Sequence, residues 1–567
     1  RVFLWECMGL NPEYVNILQN NWMNDDISTI TNTYPDHEDI QGPAGINLPE
    51  TISTFIPSNG KLMATEEQML PVLREKARMQ NTDFSFLGWL EAGLLPTDVL
   101  DRFPYNEHPY NIALVLKVAE ELGIETDFAL KEMADRIVAD IGVLKTYPTG
   151  CVYGRYLDFT NSMSANERFG TLNNWKRLGL DKQNPYKEKG IWISTLVNNR
   201  ADRIPRSRIF AKILVEDISV DKHFVIGSNL NGFKGYIQES WDAYCQNINL
   251  FPNKEKFNKA NALQILQKIS HKFRLPIYKD SITSKLEIMV SCEKLTKNNI
   301  NKLCQYIFEN GSFEEKLIQY GISKNLKSIQ KNIAADLRIL HDYENLANLI
   351  KTAQPNQKEV LNKKFHNFLW KSFQSKIFVI KNYYATGEQI INYIARETPP
   401  NFTNHIVGLQ NIKGTGLDFV YRWQAWEKCY DACNMACSNN EAIVEQGLQK
   451  LATFKEYGLL SECYIKEKIK FIKKSEFTQN EAKQRQIELI ELSFNETIEK
   501  VKNSLNFVVK TNFFSKIFKI LKSFFDPGKA IKRRKRADEI YKDLINERIS
   551  NERAIAELKA LTKEQKQ

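Results

Sequence analysis

The sequence predicts an α/β protein built on parallel sheets, followed by a mainly α-helical region. Three observations carry this. Short apolar runs alternate with helical patterns up to about residue 249, the rhythm of β-α-β units and hence of parallel strands. Each run empties into Asn, Asp, Glu, His or Arg, as expected where ligands bind at the carboxyl ends of such strands. From Leu250 onward strand-like runs and glycines become scarce, and long helical patterns take over, as over residues 324–352, 356–395 and 418–454.

In order, residues 2–5 (VFLW) and 27–31 (ISTIT) read as strands, each a short apolar or β-branched run. Between them Pro12 in a first helical turn, with Tyr14, Val15 and Leu18 at helical spacing, predicts the crossover helix. The first run delivers Glu6 and the second Asn32, Asp36 and His37, residue types that hold a metal or a phosphate. A helix over 48–55, a turn at Ser58-Asn59-Gly60, a strand over 61–65, a helix over 66–78 and a strand over 84–87 continue the rhythm. The polar cluster FPYNEHPYN, residues 103–111, leads into a helix from Tyr110, with Ile112, Val115, Leu116 and Ala119 at helical spacing and Gly123 as its stop. Such an entry to a helix N-terminus suits a nucleotide. A second set follows, with strands over 152–159, 190–197 and 223–226 and helices over 169–178, 204–214 and 236–248, predicting a small parallel sheet covered on both faces. Its strand ends carry Asn161, Ser162 and Asn166, then Asn198, Asn199, Arg200, Asp202 and Arg203, then Ser228 and Asn229.

A chain of 567 residues exceeds a single core. The divisions expected are 1–147, 148–249, a helical extension over 250–510 and a basic helical tail over 511–567. Hydrophobic content of 43% marks a folded protein rather than a disordered one. No apolar run reaches the ~18 residues that read as a transmembrane helix. Nine cysteines, an odd number without a dense framework, fit reduced thiols and a cytoplasmic setting. The chain opens on Arg1 and enters a strand at once, so no secretory signal is expected, and the chain reads as the C-terminal part of a longer polypeptide. Cys429, Cys433 and Cys437 lie four apart but match no zinc or iron–sulfur spacing. They read as small buried residues at a helix contact, and Tyr421, Trp423, Trp426 and Tyr430 as core.

The net charge of +10 is concentrated in the tail, where residues 511–536 hold nine Lys and Arg against the single acid Asp526. The body is therefore nearly neutral, and nucleic acid is not the expected partner. In the tail, Phe514, Ile517, Phe518, Leu521 and Phe525 follow helical spacing, with Lys516, Lys519 and Lys522 among them and KRRKR after them. A basic amphipathic helix suits an anionic membrane surface; a helix packed on its own domain and an oligonucleotide-binding tract are the competing readings.

The blocks WECMGLNPEY, ITNTYPDHEDIQG, FPYNEHPYNIALVLKVAEELGI, FTNSMSANE and LVNNRADRIPRSR, in this order over about residues 1–236, resemble the Mur ligase superfamily. Within it they look most like the capsular poly-γ-glutamate synthase branch. The resemblance implies the C-terminal part of a Mur-ligase-like ATPase domain over 1–147 and a Rossmann-like ligase domain over 148–249. It implies ATP and Mg2+ as cofactors, and an acyl phosphate that an amine attacks to form an amide, extending poly-γ-glutamate. By resemblance Glu6 and His37 hold magnesium, while Asn111, with His108 just before it, faces the adenine. Asn161 stands near the ribose, where the family commonly has an aspartate, and Asn32 and Asn166 complete the nucleotide-side candidates. Lys145, near the hinge between the two domains, falls about where an arginine could reach the phosphates. Arg200 and Arg203, with Arg206 and Arg208, either grip carboxylates of a glutamate chain or form a solvated helix start.

The family's Gly-Lys-Ser/Thr loop precedes the Glu6 strand and has no counterpart in this sequence. Gly60-Lys61 and Gly528-Lys529 lack its spacing and its hydroxyl residue, so this chain by itself is expected not to turn over. Expected partners are glutamate or a poly-γ-glutamate chain, membrane synthase and export proteins, and an anionic membrane, with a cytoplasmic location on the inner membrane face. The rival reading is a catalytically inactive helical scaffold, or a membrane-associated partner-binding protein.

Overall fold

The computed structural model describes residues 2–6, 11–34, 47–252, 257–293, 295–310, 313–383, 385–454 and 461–499, with a few isolated positions beyond. His37 and tail residues 511–535 lie outside the described residues, and with them the expected second magnesium ligand and the expected membrane-binding helix. The chain divides into two compact units. The first comprises Arg1–Lys145, Asn161–Leu178 and Arg203–Phe210; the second comprises Thr146–Thr160, Gly179–Asp202 and Ala211–Gln567.

The first unit is organised on three parallel strands, β1 (Ile27–Ile30), β2 (Lys61–Ala64) and β3 (Asp83–Phe86), in that spatial order. Ile30, Ile56, Leu62, Ala64, Leu73 and Ala77 close its core. The apolar run over 2–5 is not a strand. Phe3 and Leu4 are 78% and 83% exposed, and among the described residues no strand lies beside the run to take its backbone hydrogen bonds, without which an extended segment stays irregular. Only Trp5 docks, with its ring 6.2 Å from that of Phe55 and Nε1 donating to Asp25 at 2.7 Å. The helix expected from Glu66 starts at Leu70, because the Glu66 carboxylate turns back to accept the N–H groups of Gln68 (2.6 Å) and Met69 (2.8 Å).

The second unit carries a six-stranded sheet of β4 (Lys145–Val152), β5 (Arg155–Asn161), β6 (Ile191–Asn199), β7 (Lys222–Gly227), β8 (Ile377–Val379) and β9 (Thr403–Leu409), in the order β4-β5-β9-β6-β7-β8. The run from β9 through β6 and β7 to β8 is parallel. The strand expected over 152–159 is instead broken by a turn at Tyr153 and Gly154, with φ of 52° and 71°. Two residues of positive φ make a tight turn that joins antiparallel neighbours, so the sheet is mixed. The other difference is larger: β8 and β9 come from the stretch read as helical and complete the sheet.

Helices supply the rest. On the helix Thr415–Ala436, Trp423 and Trp426 are fully buried and Phe419 meets Phe159 edge-on at 4.9 Å, so the two tryptophans are core as expected, while Tyr421 and Tyr430 are half-buried. Cys429 and Cys433 are buried on the same helix. Its neighbour Glu441–Thr453 approaches so closely at Gly447 that a Cβ there would stand 2.3 Å from the Ala436 nitrogen, contact that only a residue without a side chain permits. A further helical layer, with Ile282, Leu286, Leu303, Leu317, Ile329 and Ile333 inside it, is braced by the helix Leu326–Thr352. No described helix is long and apolar enough to cross a membrane.

Candidate functional site

In the first unit polar and aromatic residues gather past the carboxyl ends of β1 and β2. The chain leaving β1 is tied down by the Thr33 N–H, which donates to the buried Glu66 carboxylate, and by Thr65 Oγ1, which donates to Thr31 O at 2.8 Å. Asn32 Oδ1 accepts the Tyr34 N–H at 3.1 Å, a local turn that sets the Tyr34 ring. That ring stacks on Phe169, 5.8 Å between centroids and 22° between planes. Phe169 opens the helix Arg168–Arg177, whose first N–H groups the Glu167 carboxylate accepts. Burial, helped by Glu167, Glu66 and Glu67, raises the Tyr34 phenol above its ordinary pKa.

His108 caps the helix Pro109–Glu121 by accepting the Tyr110 N–H on Nδ1 at 3.2 Å, and its Nε2 lies 3.0 Å from the Asn173 side-chain amide. Burial, and next the Arg177 guanidinium, lower its pKa, so the ring is neutral at pH 7. Tyr110 donates from its hydroxyl to Glu67 Oε1 at 2.6 Å, and this bond to a carboxylate is the main reason its pKa is pushed up to about 12. Arg177 donates to the carbonyls of Asn106 (2.9 Å) and Glu107 (2.8 Å). A partly exposed aromatic pair beside carboxylates and a half-buried guanidinium, at the ends of parallel strands, is suited to a flat heteroaromatic ligand with polar substituents.

Of the residues expected on the nucleotide side, Asn32 and His108 shape this site directly. Asn111 donates from Nδ2 to Glu107 Oε1 at 2.9 Å. Asn161 is fully buried, bonding Ile141 O (2.7 Å) and the Met163 N–H (3.3 Å), while Asn166 sits half-buried just before Arg168. Tyr34, Glu66, Glu67, Phe169, Asn173 and Arg177 were not singled out. Tyr34 and the Glu66-Glu67 pair follow their strands as Asn32 does, so the strand-end rule held the signal; Phe169, Asn173 and Arg177 come together with them only through the fold.

For magnesium, Glu6 is exposed on irregular chain, and among the described residues no group of three His, Cys, Asp or Glu could hold a metal ion. One exposed carboxylate is not by itself a cation site, and the second expected ligand, His37, lies outside the described residues. Lys145 begins β4. Arg200 is paired with Asp202 through Nε (3.0 Å) and a terminal nitrogen (2.5 Å), and the Arg203 carbonyl accepts from Ser207 Oγ at 2.9 Å.

In the second unit the carboxyl ends of β6, β7 and β9 are locked by side-chain amides. Asn198 Nδ2 donates to the carbonyls of Asn411 (2.8 Å) and Lys413 (2.7 Å), Asn199 Nδ2 to Ser228 O (2.7 Å), and Gln410 Nε2 to Asn199 Oδ1 (2.9 Å). Strand order reverses between β6 and β9, the place where open α/β sheets take ligands. Within this sheet His405 Nδ1 lies 2.8 Å from the Asp158 carboxylate, and that hydrogen bond raises its pKa. A raised folded pKa means stability that is present below about pH 6.5 and lost as pH climbs through the folded value. We expect His405→Gln to cost about 0.5 kcal/mol at pH 5.5, a figure reduced for solvent screening, and almost nothing at pH 8; urea titrations at the two pH values measure it.

Residues 146–307 match the family model described as the poly-gamma-glutamate synthase CapB C-terminal domain. The chain is 30% identical over 225 residues to the PGA synthase CapB of Bacillus subtilis (strain 168), covering 39% of this chain and 54% of that protein. It is 28% identical over 228 residues to the capsule biosynthesis protein CapB of Bacillus anthracis, covering 39% and 46%. The chain thus spans about half the length of these curated relatives. No solved structure matches it. Over the segment that builds most of β4, all of β5, β6 and β7 and the first helices behind them, this protein is similar to the C-terminal domain of poly-γ-glutamate synthase CapB.

Proposed function

We propose that the protein serves poly-γ-glutamate synthesis as an ATP- and magnesium-dependent amide ligase of the Mur type. The observation that carries this reading is its 30% identity over 225 residues to the PGA synthase CapB; the aromatic and polar site at the strand ends supports it. In the reaction a glutamyl carboxylate oxygen bonds to the γ-phosphorus of ATP and ADP departs. The amine of the next glutamate then bonds to the acyl carbon, inorganic phosphate leaves, and the nitrogen gives up its proton.

The Tyr34–Phe169 shelf would hold the base, with Asn111 at its edge and neutral His108 fixing the helix entry. Lys145 would neutralise phosphate charge. Arg200 and Arg203 would take carboxylates of the growing chain, Arg200 exchanging its Asp202 partner for the substrate. Glu6 and His37 would supply ligands to the magnesium that shields the phosphates.

The test is phosphate release from ATP by the full-length polypeptide with magnesium and glutamate. Phe169→Ala removes a surface that binds ground state and transition state alike, so KM for ATP is expected to rise about 10-fold with kcat nearly unchanged. Absence of glutamate-dependent phosphate release from the folded wild-type protein would contradict the reading.

A further inference from the structure

The second unit contains a cavity of about 630 Å3 whose walls include Trp192, Lys222, Lys285, Asp336, Lys376 and Phe402. Trp192 and Lys222 lie in the first residues of β6 and β7, and Lys376 and Phe402 immediately precede β8 and β9. The cavity therefore sits at the amino ends of four parallel strands, at the opposite edge of the sheet from the Asn198–Gln410 cluster. It is built jointly by the segment similar to CapB and by residues beyond 307, so the helical region is needed to form it.

The chemistry of its wall is that of carboxylate recognition. Lys285 is held by Asp336 at 2.8 Å, Lys222 by Glu397 at 3.0 Å, and Arg274 by Asp221 at 2.8 Å, so each of these cations already has a carboxylate partner. Lys376 differs. It is 8% exposed, and its ammonium donates to the carbonyls of Val220 (2.8 Å) and Phe273. Among the described residues no carboxylate bonds it, and an ammonium has three N–H groups to place. At the mouth Arg338 and Arg396 are exposed. Trp192 and Phe402 meet edge-to-face at 6.2 Å, with the Lys285 ammonium 5.0 Å from the Trp192 ring, giving an apolar wall between cationic points. The volume is within the usual range for a small-molecule site.

We propose that this cavity binds a short oligomeric carboxylate of the γ-glutamyl kind, with Lys376 taking a carboxylate at its floor, Arg338 another at its mouth, and Trp192 and Phe402 lying along the methylenes. The identity of the oligomer rests on the proposed role in poly-γ-glutamate synthesis. The cavity then grips the growing or finished chain away from the strands' carboxyl ends, and this is a use for the helical extension.

Burial pushes the Lys376 pKa down to about 7, against the pull of Asp221 and Asp336 and with the push of Arg274 and Lys285; the buried His223 also feels its charge. A ligand carboxylate favours the ammonium form, so binding at pH 8 draws in a proton. The experiment is calorimetric titration of the full chain with tri-γ-glutamate at pH 8, in two buffers of different ionisation enthalpy. Glutamate and inorganic phosphate serve as comparison ligands. Binding of the trimer with net proton uptake is expected, weakened at least ~10-fold, and without the uptake, in Lys376→Met, as for loss of a charge-assisted hydrogen bond. Arg338→Glu, on the exposed rim, is expected to weaken it similarly while leaving the thermal midpoint unchanged. No binding by the folded wild type, equal binding by both variants, or phosphate binding as well as the trimer overturns the proposal. Glutamate-dependent ATP turnover, measured on the same full-length protein, separates the two ideas. Turnover without trimer binding removes the cavity site alone, and trimer binding without turnover keeps the site and removes the ligase.

Discussion

Arg274→Ala is expected to destabilise the second unit by about 3–5 kcal/mol, the usual cost of leaving one partner of a buried ion pair alone. Arg274 grips Asp221 at both oxygens, Nε to Oδ1 at 3.0 Å and a terminal nitrogen to Oδ2 at 2.8 Å. The two side chains are only 2% and 10% exposed. The same Asp221 Oδ2 accepts the Ile193 N–H at 2.9 Å, at the start of β6, so the pair ties the turn after the helix Lys259–Lys272 to two central strands. With the guanidinium gone, the carboxylate keeps that backbone bond but loses its counter-charge. Replacing both partners by apolar residues of similar size should recover part of the loss, since neither half of the ion pair is then left buried without its counter-charge, while the Ile193 N–H still loses its acceptor. Chemical denaturation of the wild type and the two variants measures this, and a cost below about 1 kcal/mol for Arg274→Ala would show the pair to be solvated.

Acid should weaken the same unit through His223. The ring is fully buried on β7, with Nδ1 2.8 Å from Thr195 Oγ1, and burial, helped by the Lys376 charge, pushes its pKa down to about 3. Here the folded value lies below the unfolded one, so between them the unfolded chain binds the extra proton. The contribution is complete above about pH 6.5 and falls as pH drops toward the folded value. At 1.36 kcal/mol per pH unit, roughly 2–3 kcal/mol should be lost by pH 4.5. His223→Gln should flatten that part of the stability–pH curve, the opposite sign from His405, whose stabilisation grows toward acid.

The local features of both units were legible where neighbouring residues alone set them. The strands over 27–31, 61–65 and 84–87 appear as Ile27–Ile30, Lys61–Ala64 and Asp83–Phe86, because each apolar run is short and bounded by turn or polar residues. The helix after FPYNEHPYN starts where Pro109 allows and His108 caps it. What was missed depends on distant partners. β8 is three residues long between two helices, too short to interrupt a helical pattern. β9 becomes a strand by pairing with β6, Ile191 opposite Thr403 and Val197 opposite Leu409, a contact across some two hundred residues. Residues 2–5 had the composition of a strand and no described partner. The cavity draws Trp192, Lys285 and Lys376 from separate elements, and no spacing in the sequence connects them. In the first site the strand-end rule found Asn32, while the Tyr34–Phe169 stack needed the fold.

The most direct test of the central claim is incorporation of labelled glutamate into γ-linked polymer by the full-length polypeptide, with ATP and magnesium, read by product mass before and after a γ-glutamyl hydrolase. A ladder of products one glutamate apart, formed only with ATP and degraded by the hydrolase, is the result this account predicts. ATP consumption without new amide bonds, or no product from a folded protein supplied with glutamate and a γ-glutamyl primer, would contradict it.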